Sequence, residues 1–445
     1  MSAIKPVVRE GVPASGPADA IGRAAMRKAT WRLIPLIALG YGTAYMDRVN
    51  ISFASLQMNR DLHFTASIYG LGAGLFFLSY AAFEVPSNLL LCRFGARRWL
   101  SRIMITWGVL AIAMIFVKTP MQFYVVRFLL GMAEAGFFPG VVFYLTQWFP
   151  PNMRAGAISG FYVSLPLSAA VMGVLAGALL SLQGKIGLAG WQWLFLVEGL
   201  PAVVLSVAFF LMLPDGPGDA RWLTQQERAW VIEQIERDAS SGGHRHNVLK
   251  ALLDSRVVQV SLVFLFMLGC SYAYAFSAPA ILVQLTGWDA TRVGFLIAAA
   301  NLLGALAMIL NARHSDRRGE RYWHAAIPFL MIAAGFFAGG LSTSPGPAVL
   351  ALSLVTIAFV SLLGPVMAIP PVFLKGKSMA AGIAAMNTVG MLGGFIGPYW
   401  MGLAKDMTGD YQHGLLTLTI PSVAAAGIVL WMRRVARRQT VTPAT

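Results

Sequence analysis

Cys92-Arg93-Phe94-Gly95-Ala96-Arg97-Arg98-Trp99 and Asp316-Arg317-Arg318-Gly319-Glu320-Arg321-Tyr322-Trp323 carry Arg, Gly, Arg and Trp in the same order, at a constant offset of 224 residues. Each basic stretch sits between two long apolar runs. A weaker echo links Met153-Arg154-Ala155-Gly156 to Met379-Ala380-Ala381-Gly382, at an offset of 226. The same loop chemistry at the same place in each half of the chain indicates a duplicated unit. The reading of the rest of the sequence depends on how many apolar runs each unit holds.

Outward from these loops, runs of about 20 apolar residues follow one another, the length a helix needs to cross a bilayer core of roughly 30 Å. Twelve are read as spans: 32–53, 68–91, 99–117, 121–146, 155–182, 191–213, 257–284, 293–311, 323–342, 348–373, 380–402 and 414–432. Composition agrees, with 57% hydrophobic and 12% charged residues and a mean hydropathy of +0.66. A soluble chain of this length needs far more charged surface. The runs do not alternate in polarity, which argues for helices over barrel strands. The expected fold is an all-α integral membrane protein, with twelve transmembrane helices in two pseudo-symmetric bundles of six. The chain divides into a tail at 1–31, a bundle at 32–213, a polar linker at 214–256, a second bundle at 257–432 and a tail at 433–445. Within the linker, Thr224-Gln225-Gln226-Glu227 reads as a capping box opening a short amphipathic helix.

The net charge of +15 suggests nucleic acid until its distribution is examined. Of 34 Lys and Arg, 27 fall on the side of the two tails, five on the other side, and two, Arg48 and Arg127, inside spans. This is the positive-inside pattern, with both termini in the cytoplasm and the basic loops facing anionic lipid. Nucleic-acid binding is excluded on this count. Cys92 and Cys270 form no paired motif and read as small apolar fillers, and no metal site is expected. Lys375-Gly376-Lys377-Ser378 resembles the end of a phosphate-binding loop, but Pro371 stands where that loop needs glycine. No hydrolase or metalloprotease motif is present, so an enzyme is not expected.

A charge near the bilayer centre is costly, so ionisable residues there are candidates for function. Asp47, Arg48, Glu84, Arg127, Glu134 and Glu198 qualify, and all lie in the first half. At about 1.5 Å per residue, Asp47 and Arg48 lie roughly 22 Å from the terminal side, and Arg127 roughly 9 Å from the other. These depths coincide. Glu134, seven residues on, shares the helical face of Arg127 and lies deeper. An anion entering such a cavity needs a cation, and Arg offers a planar fork. Arg48 is the first candidate for a substrate carboxylate. Asp47 and Glu134 are candidate proton sites, since leaving water favours the neutral form of a carboxylic acid. Arg127 is expected to pair with Glu134 or Asp47. Glu84 is read as structural or as a gate partner of the basic loop around Arg97, Glu198 as structural, and Asn387 as a hydrogen-bond donor from the second half. Tyr272 and Tyr274 are placed near the outer side, in a gate or an aromatic belt.

Longer strings carry a family likeness. They are Tyr45-Met46-Asp47-Arg48-Val49-Asn50, Glu84-Val85-Pro86-Ser87-Asn88-Leu89-Leu90-Leu91, Arg127-Phe128-Leu129-Leu130-Gly131-Met132-Ala133-Glu134-Ala135-Gly136-Phe137-Phe138-Pro139-Gly140, and Trp191-Gln192-Trp193-Leu194-Phe195-Leu196-Val197-Glu198-Gly199-Leu200-Pro201. With the two basic loops, they resemble the major facilitator superfamily, and within it the anion:cation symporters of the tartrate, phthalate and hydroxyphenylacetate type. The galactonate transporter and sialin are more distant relatives. The resemblance covers nearly the whole chain. It implies proton-coupled import of a carboxylate across the inner membrane, by a monomer with no cofactor beyond the coupling protons. It also implies that Tyr45 and Tyr80 touch substrate. The first basic loop departs from the superfamily pattern, with Asn88 and Cys92 where Gly and Asp are usual. The gating role of that Asp is therefore expected in the second half, at Asp316 beside Arg317. The alternatives are an anion exchanger or a drug antiporter of the same superfamily and, from other classes, a channel or an intramembrane enzyme.

Overall fold

The computed structural model describes residues 17–241, 254–374 and 377–441. The beginning and end of the tails, the linker stretch 242–253 and Lys375-Gly376 lie outside the described residues. The described chain is helical throughout, with short connections. The first half holds α1 (Pro17–Asp61), α2 (Ala66–Phe94), α3 (Ala96–Ala113), α4 (Pro120–Glu134), α5 (Phe137–Thr146), α6 (Pro151–Tyr162), α7 (Ser164–Leu180) and α8 (Gly190–Met212). The linker helix is α9 (Gln225–Ser241). The second half holds α10 (Ser255–Thr286), α11 (Ala290–Arg318), α12 (Tyr322–Leu341), α13 (Pro345–Met367), α14 (Lys377–Thr408) and α15 (Gln412–Val441). Since α4 with α5, and α6 with α7, each make one crossing, these are twelve transmembrane helices in two sets of six. Among the described residues, ten crossings are long and apolar enough to span a bilayer by composition alone. α1, not among them, is diluted by Asp47, Arg48 and Asn50.

Three differences from the sequence reading bear on the site and its surroundings. α1 begins fifteen residues before the expected span, because its first turns rest on α9 instead of ending at the membrane. Ala25, Met26 and Ala29 are buried there, and Lys28 Nζ pairs with Glu227 Oε2 at 2.8 Å. The capping box forms, with Glu227 N–H donating to Thr224 Oγ1 at 3.2 Å and Thr224 N–H to Glu227 Oε2 at 2.8 Å. The stretch 121–146, expected as one helix, breaks directly after Glu134. Ala135 is extended, and Gly136 takes φ +86°, a left-handed conformation that glycine adopts without penalty. α2 also passes so close that a Cβ on Gly136 would meet Ser87 Oγ at 2.4 Å. The stretch 155–182 is likewise interrupted, at Val163.

The two halves meet on the side remote from the termini, called here the far side. α2 packs on α14 and α7 on α11 through small residues that let backbones touch. A Cβ on Gly294 would lie 2.0 Å from Gly173 O, and one on Gly70 would lie 2.3 Å from Pro398 O. Hydrogen bonds reinforce this seam. Tyr69 Oη donates to Phe276 O at 2.9 Å. Asp406, at the far-side end of α14, accepts from Ala66 N at 3.1 Å and Ser67 N at 2.8 Å. Deeper in the bilayer, Asn387 Nδ2 donates to both oxygens of Glu84 at 2.9 and 3.0 Å.

Candidate functional site

α1, α2 and α4 bring four of the six membrane charges together. Arg48 lies 13 residues before the end of α1, and Glu134 ends α4 at the break. Arg48 Nη2 forms an ion pair with Glu134 Oε1. Both groups are buried, Glu134 completely. α2 supplies the aromatic floor. The Arg48 guanidinium carbon lies 5.0 Å from the Tyr80 ring centroid and 5.5 Å from that of Phe76. The guanidinium carbon of Arg127 approaches the same Phe76 ring, at 4.9 Å. One ring thus serves two cations, and its quadrupole offsets part of their desolvation.

Arg127 differs from the sequence expectation. It pairs with neither Glu134 nor Asp47. Its Nε donates to Gly72 O at 3.4 Å, and Nη1 and Nη2 have no hydrogen-bond partner among the described residues. The reason is the break after Glu134, where α4 ends against α2 and the carboxylate meets Arg48 across the α1–α4 boundary. Asp47 accepts a hydrogen bond from Asn50 Nδ2 on Oδ1 at 3.4 Å, and its Oδ2 is unpartnered. The level arrangement of Asp47, Arg48 and Arg127 holds to the extent that all three interact electrostatically. The site therefore contains one closed ion pair, one arginine fork with free donors and one carboxylate with a free oxygen.

The remaining candidates separate into two groups. Tyr80 is buried under Arg48, and half-buried Tyr45 lies within electrostatic reach of Tyr272 on α10. Asn387 reaches the first half, but its partner is Glu84. Glu84 thus does not pair with the loop around Arg97, because its carboxylate is taken by the α14 amide. Arg97 turns to the linker instead, where its N–H donates to Asp215 Oδ1 at 2.9 Å and its Nε lies 3.8 Å from Asp215 Oδ2. Asp316 and Arg317 are exposed at the end of α11. Among the described residues, no ion pair joins Asp316 to the first half. In that loop Glu320 pairs with Arg433 Nε at 3.5 Å and lies within hydrogen-bond distance, 3.0 Å, of His324 Nδ1. Tyr274 points into the second half, where its hydroxyl donates to Leu352 O at 2.9 Å.

Sequence reasoning missed Phe76, Tyr41, Tyr162 and the inward role of Tyr272. Tyr41 packs on Phe161, Phe138 and Tyr162 at 5.2, 5.5 and 5.8 Å between centroids. Tyr272 closes on Phe77 at 4.2 Å. Tyr41 stands seven residues before Arg48 on α1, about 10 Å toward the terminal side. The signal for Phe76 was available, since it precedes Tyr80 by one helical turn and shares its face. Tyr272 belongs to the other half, and only the docking of the halves brings it there.

Comparison with known proteins follows the same lines. The Major Facilitator Superfamily profile matches residues 37–398. A protein named "Putative tartrate transporter" from Agrobacterium vitis is 45% identical over 392 residues, covering 88% of this chain and 87% of its own. A "Quinolone resistance transporter" from Acinetobacter baumannii is 41% identical, covering 91% and 93%. Among solved structures, an inward-facing bacterial homologue of the human lysosomal transporter Spinster superposes with a TM-score of 0.78 at 16% identity. That match covers 97% of this chain and 100% of the homologue.

Proposed function

This chain belongs to the Major Facilitator Superfamily and is a multi-pass membrane transporter, not an enzyme, and from that premise we propose that it imports an organic anion together with protons by alternating access. The observation that carries the proposal is the buried Arg48–Glu134 ion pair. An ion pair inside the membrane is stable while intact and costly to break on one side only. A substrate carboxylate can take the Arg48 fork only if Glu134 gives it up, and protonation of Glu134 achieves this without leaving an uncompensated charge. Asp47 would act in the same way toward Arg127. Each proton then offsets one substrate charge in a cavity of low dielectric.

The substrate class follows from the two guanidinium groups that share the Phe76 ring. Two forks within 5.5 Å of one ring centroid suit a small molecule with two carboxylates, or one carboxylate and hydroxyls, such as a hydroxy or sugar acid. The relatives named for tartrate support this reading. We assign Tyr45, Tyr80 and Asn387 to substrate contact. The basic charges on the terminal side support cytoplasmic termini in a bacterial inner membrane. Glu84 with Asn387 then forms the deepest bridge between the halves, and the basic loops with Arg97, Asp316 and Arg317 flank the cytoplasmic opening.

The test is uptake by the purified protein in liposomes with the outside made acidic, offered labelled tartrate, phthalate, 4-hydroxyphenylacetate and galactonate. Saturable accumulation of at least one acid that collapses with the pH gradient is expected. Uptake that ignores the gradient across the whole panel refutes the proposal. The quinolone-resistance relative favours a second reading, drug–proton antiport. In that case the same gradient expels a fluoroquinolone and moves none of the acids.

A further inference from the structure

One membrane carboxyl has no place in this switch. Glu198 lies on α8, eight residues from its far-side start, or roughly 12 Å along the helix. It is 3% exposed, and among the described residues its carboxylate meets no cation and no backbone amide, only the amide side chain of Asn50 close enough to act on it. An acid kept only for structure would be held by an arginine or by backbone amides, because an unpaired buried charge is strongly destabilising. Glu198 has neither. Its neighbour Gly199 takes the α3 side, where a Cβ would meet Ile112 Cγ1 at 2.6 Å. Glu198 itself faces α1, beside the Asn50 side chain, and the ionisable group acting on it is Asp47.

Its depth is defined by a rim contact. Trp191 Nε1 donates to Asp61 Oδ2 at 3.2 Å, which sets α8 against α1 at the far-side edge. From that edge Glu198 is seven residues inward and Asp47 fourteen, roughly 10 and 21 Å along their helices. Between them stands Asn50, which donates to Asp47 Oδ1 and whose own Oδ1 is unpartnered. On the outer part of the same stretch of α1, Gln57 Oε1 and Asn59 Oδ1 are also buried without partners. Buried oxygens of this kind are what proton-conducting water binds to.

We propose that Glu198 is a third proton-carrying carboxyl of the coupling path, taking protons from the far side and passing them past Asn50 to Asp47. In each transfer the Glu198 O–H bond breaks and an Asp47 O–H bond forms. The Glu198 carboxylate is then reprotonated from the far side, and no other bond changes. This inference rests on the symport reading. It explains why Glu198 is buried without a cation to hold it, and it gives α8, which holds none of the four clustered charges, a part in coupling.

The test uses the full-length protein in liposomes with each labelled acid of the panel above, in two modes: uptake driven by an acidic exterior, and counterflow of the same acid at equal pH. Glu198→Gln keeps shape and burial. It is expected to slow driven uptake by about 100-fold, the loss typical of one proton-transfer group, and to leave counterflow at the wild-type rate. Glu198→Asp is expected to restore most of the driven uptake. If Glu198→Gln leaves driven uptake unchanged, or lowers both modes together, the relay is refuted. If the wild type itself shows no driven uptake, the symport reading fails and the relay with it.

Discussion

Removing Asp406 is expected to loosen the far-side seam. The first four N–H groups of α2 have no partner within their own helix, and the structure accounts for each. Ile68 N–H goes to Thr65 Oγ1 at 3.2 Å and Tyr69 N–H to Thr65 O at 3.1 Å. Ala66 and Ser67 N–H go to Asp406, from the other half of the molecule. A carboxylate at a helix N-terminus also meets the positive end of the helix dipole. Replacing a capping side chain by Ala costs about 1 kcal/mol, and Asp406 is exposed enough that water replaces part of what is lost. In a state open on the far side this contact is broken in the wild type as well. Asp406→Ala therefore raises the ratio of far-open to far-closed molecules about fivefold, the factor that about 1 kcal/mol gives. Spin labels at Lys118 and Thr343, exposed on far-side loops of opposite halves, report the distance in a background lacking Cys92 and Cys270. The long-distance population should rise in Asp406→Ala and rise less in Asp406→Asn, which keeps one acceptor oxygen. The pH response has a definite sign. Partial burial pushes the Asp406 carboxyl up, but hydrogen bonds from Ser67, Thr65 and Ala66 outweigh this and hold it below its ordinary range. A carboxyl held low contributes fully above its ordinary pKa of about 4 and loses the contribution only as pH falls through the lowered value. The effect of Asp406→Ala should thus be constant between pH 5 and 8. An unchanged distance distribution, or an effect that disappears near pH 6, refutes the capping argument.

Three further outcomes are expected. Glu134→Gln and Asp47→Asn should abolish accumulation driven by an acidic exterior while preserving counterflow, and a variant of either that still concentrates substrate removes that residue from coupling. Arg48→Lys should weaken substrate affinity by about tenfold, because a point charge loses one arm of a two-point contact, and titration calorimetry in detergent measures it directly. Gly136→Ala must hold alanine at φ +86° with Ser87 Oγ 2.4 Å from its Cβ. A cost of about 1–3 kcal/mol should lower the thermal midpoint and displace Glu134 from Arg48, whereas an unchanged midpoint would show that the break does not depend on glycine.

The sequence by itself determined the number of crossings, the duplication and the identity of the buried charges. Apolar length and loop charge are local quantities, and bilayer thickness converts them directly into helices. It also brought Asp47, Arg48 and Arg127 to one depth, since rise per residue needs no knowledge of neighbours. Which charge meets which was not legible. The pairing of Arg48 with Glu134 depends on a break that a 26-residue apolar run conceals, and on α2 lying close enough to Gly136 to exclude a side chain. Glu84 found Asn387 and not the Arg97 loop because docking of α2 on α14 aligns residues 303 positions apart. Glu198, beside a glycine and a proline, read as structural until tertiary packing turned it toward Asn50 with no cation beside it. Burial and pairing are properties of the space between helices, and that space exists only once two six-helix units have closed against each other.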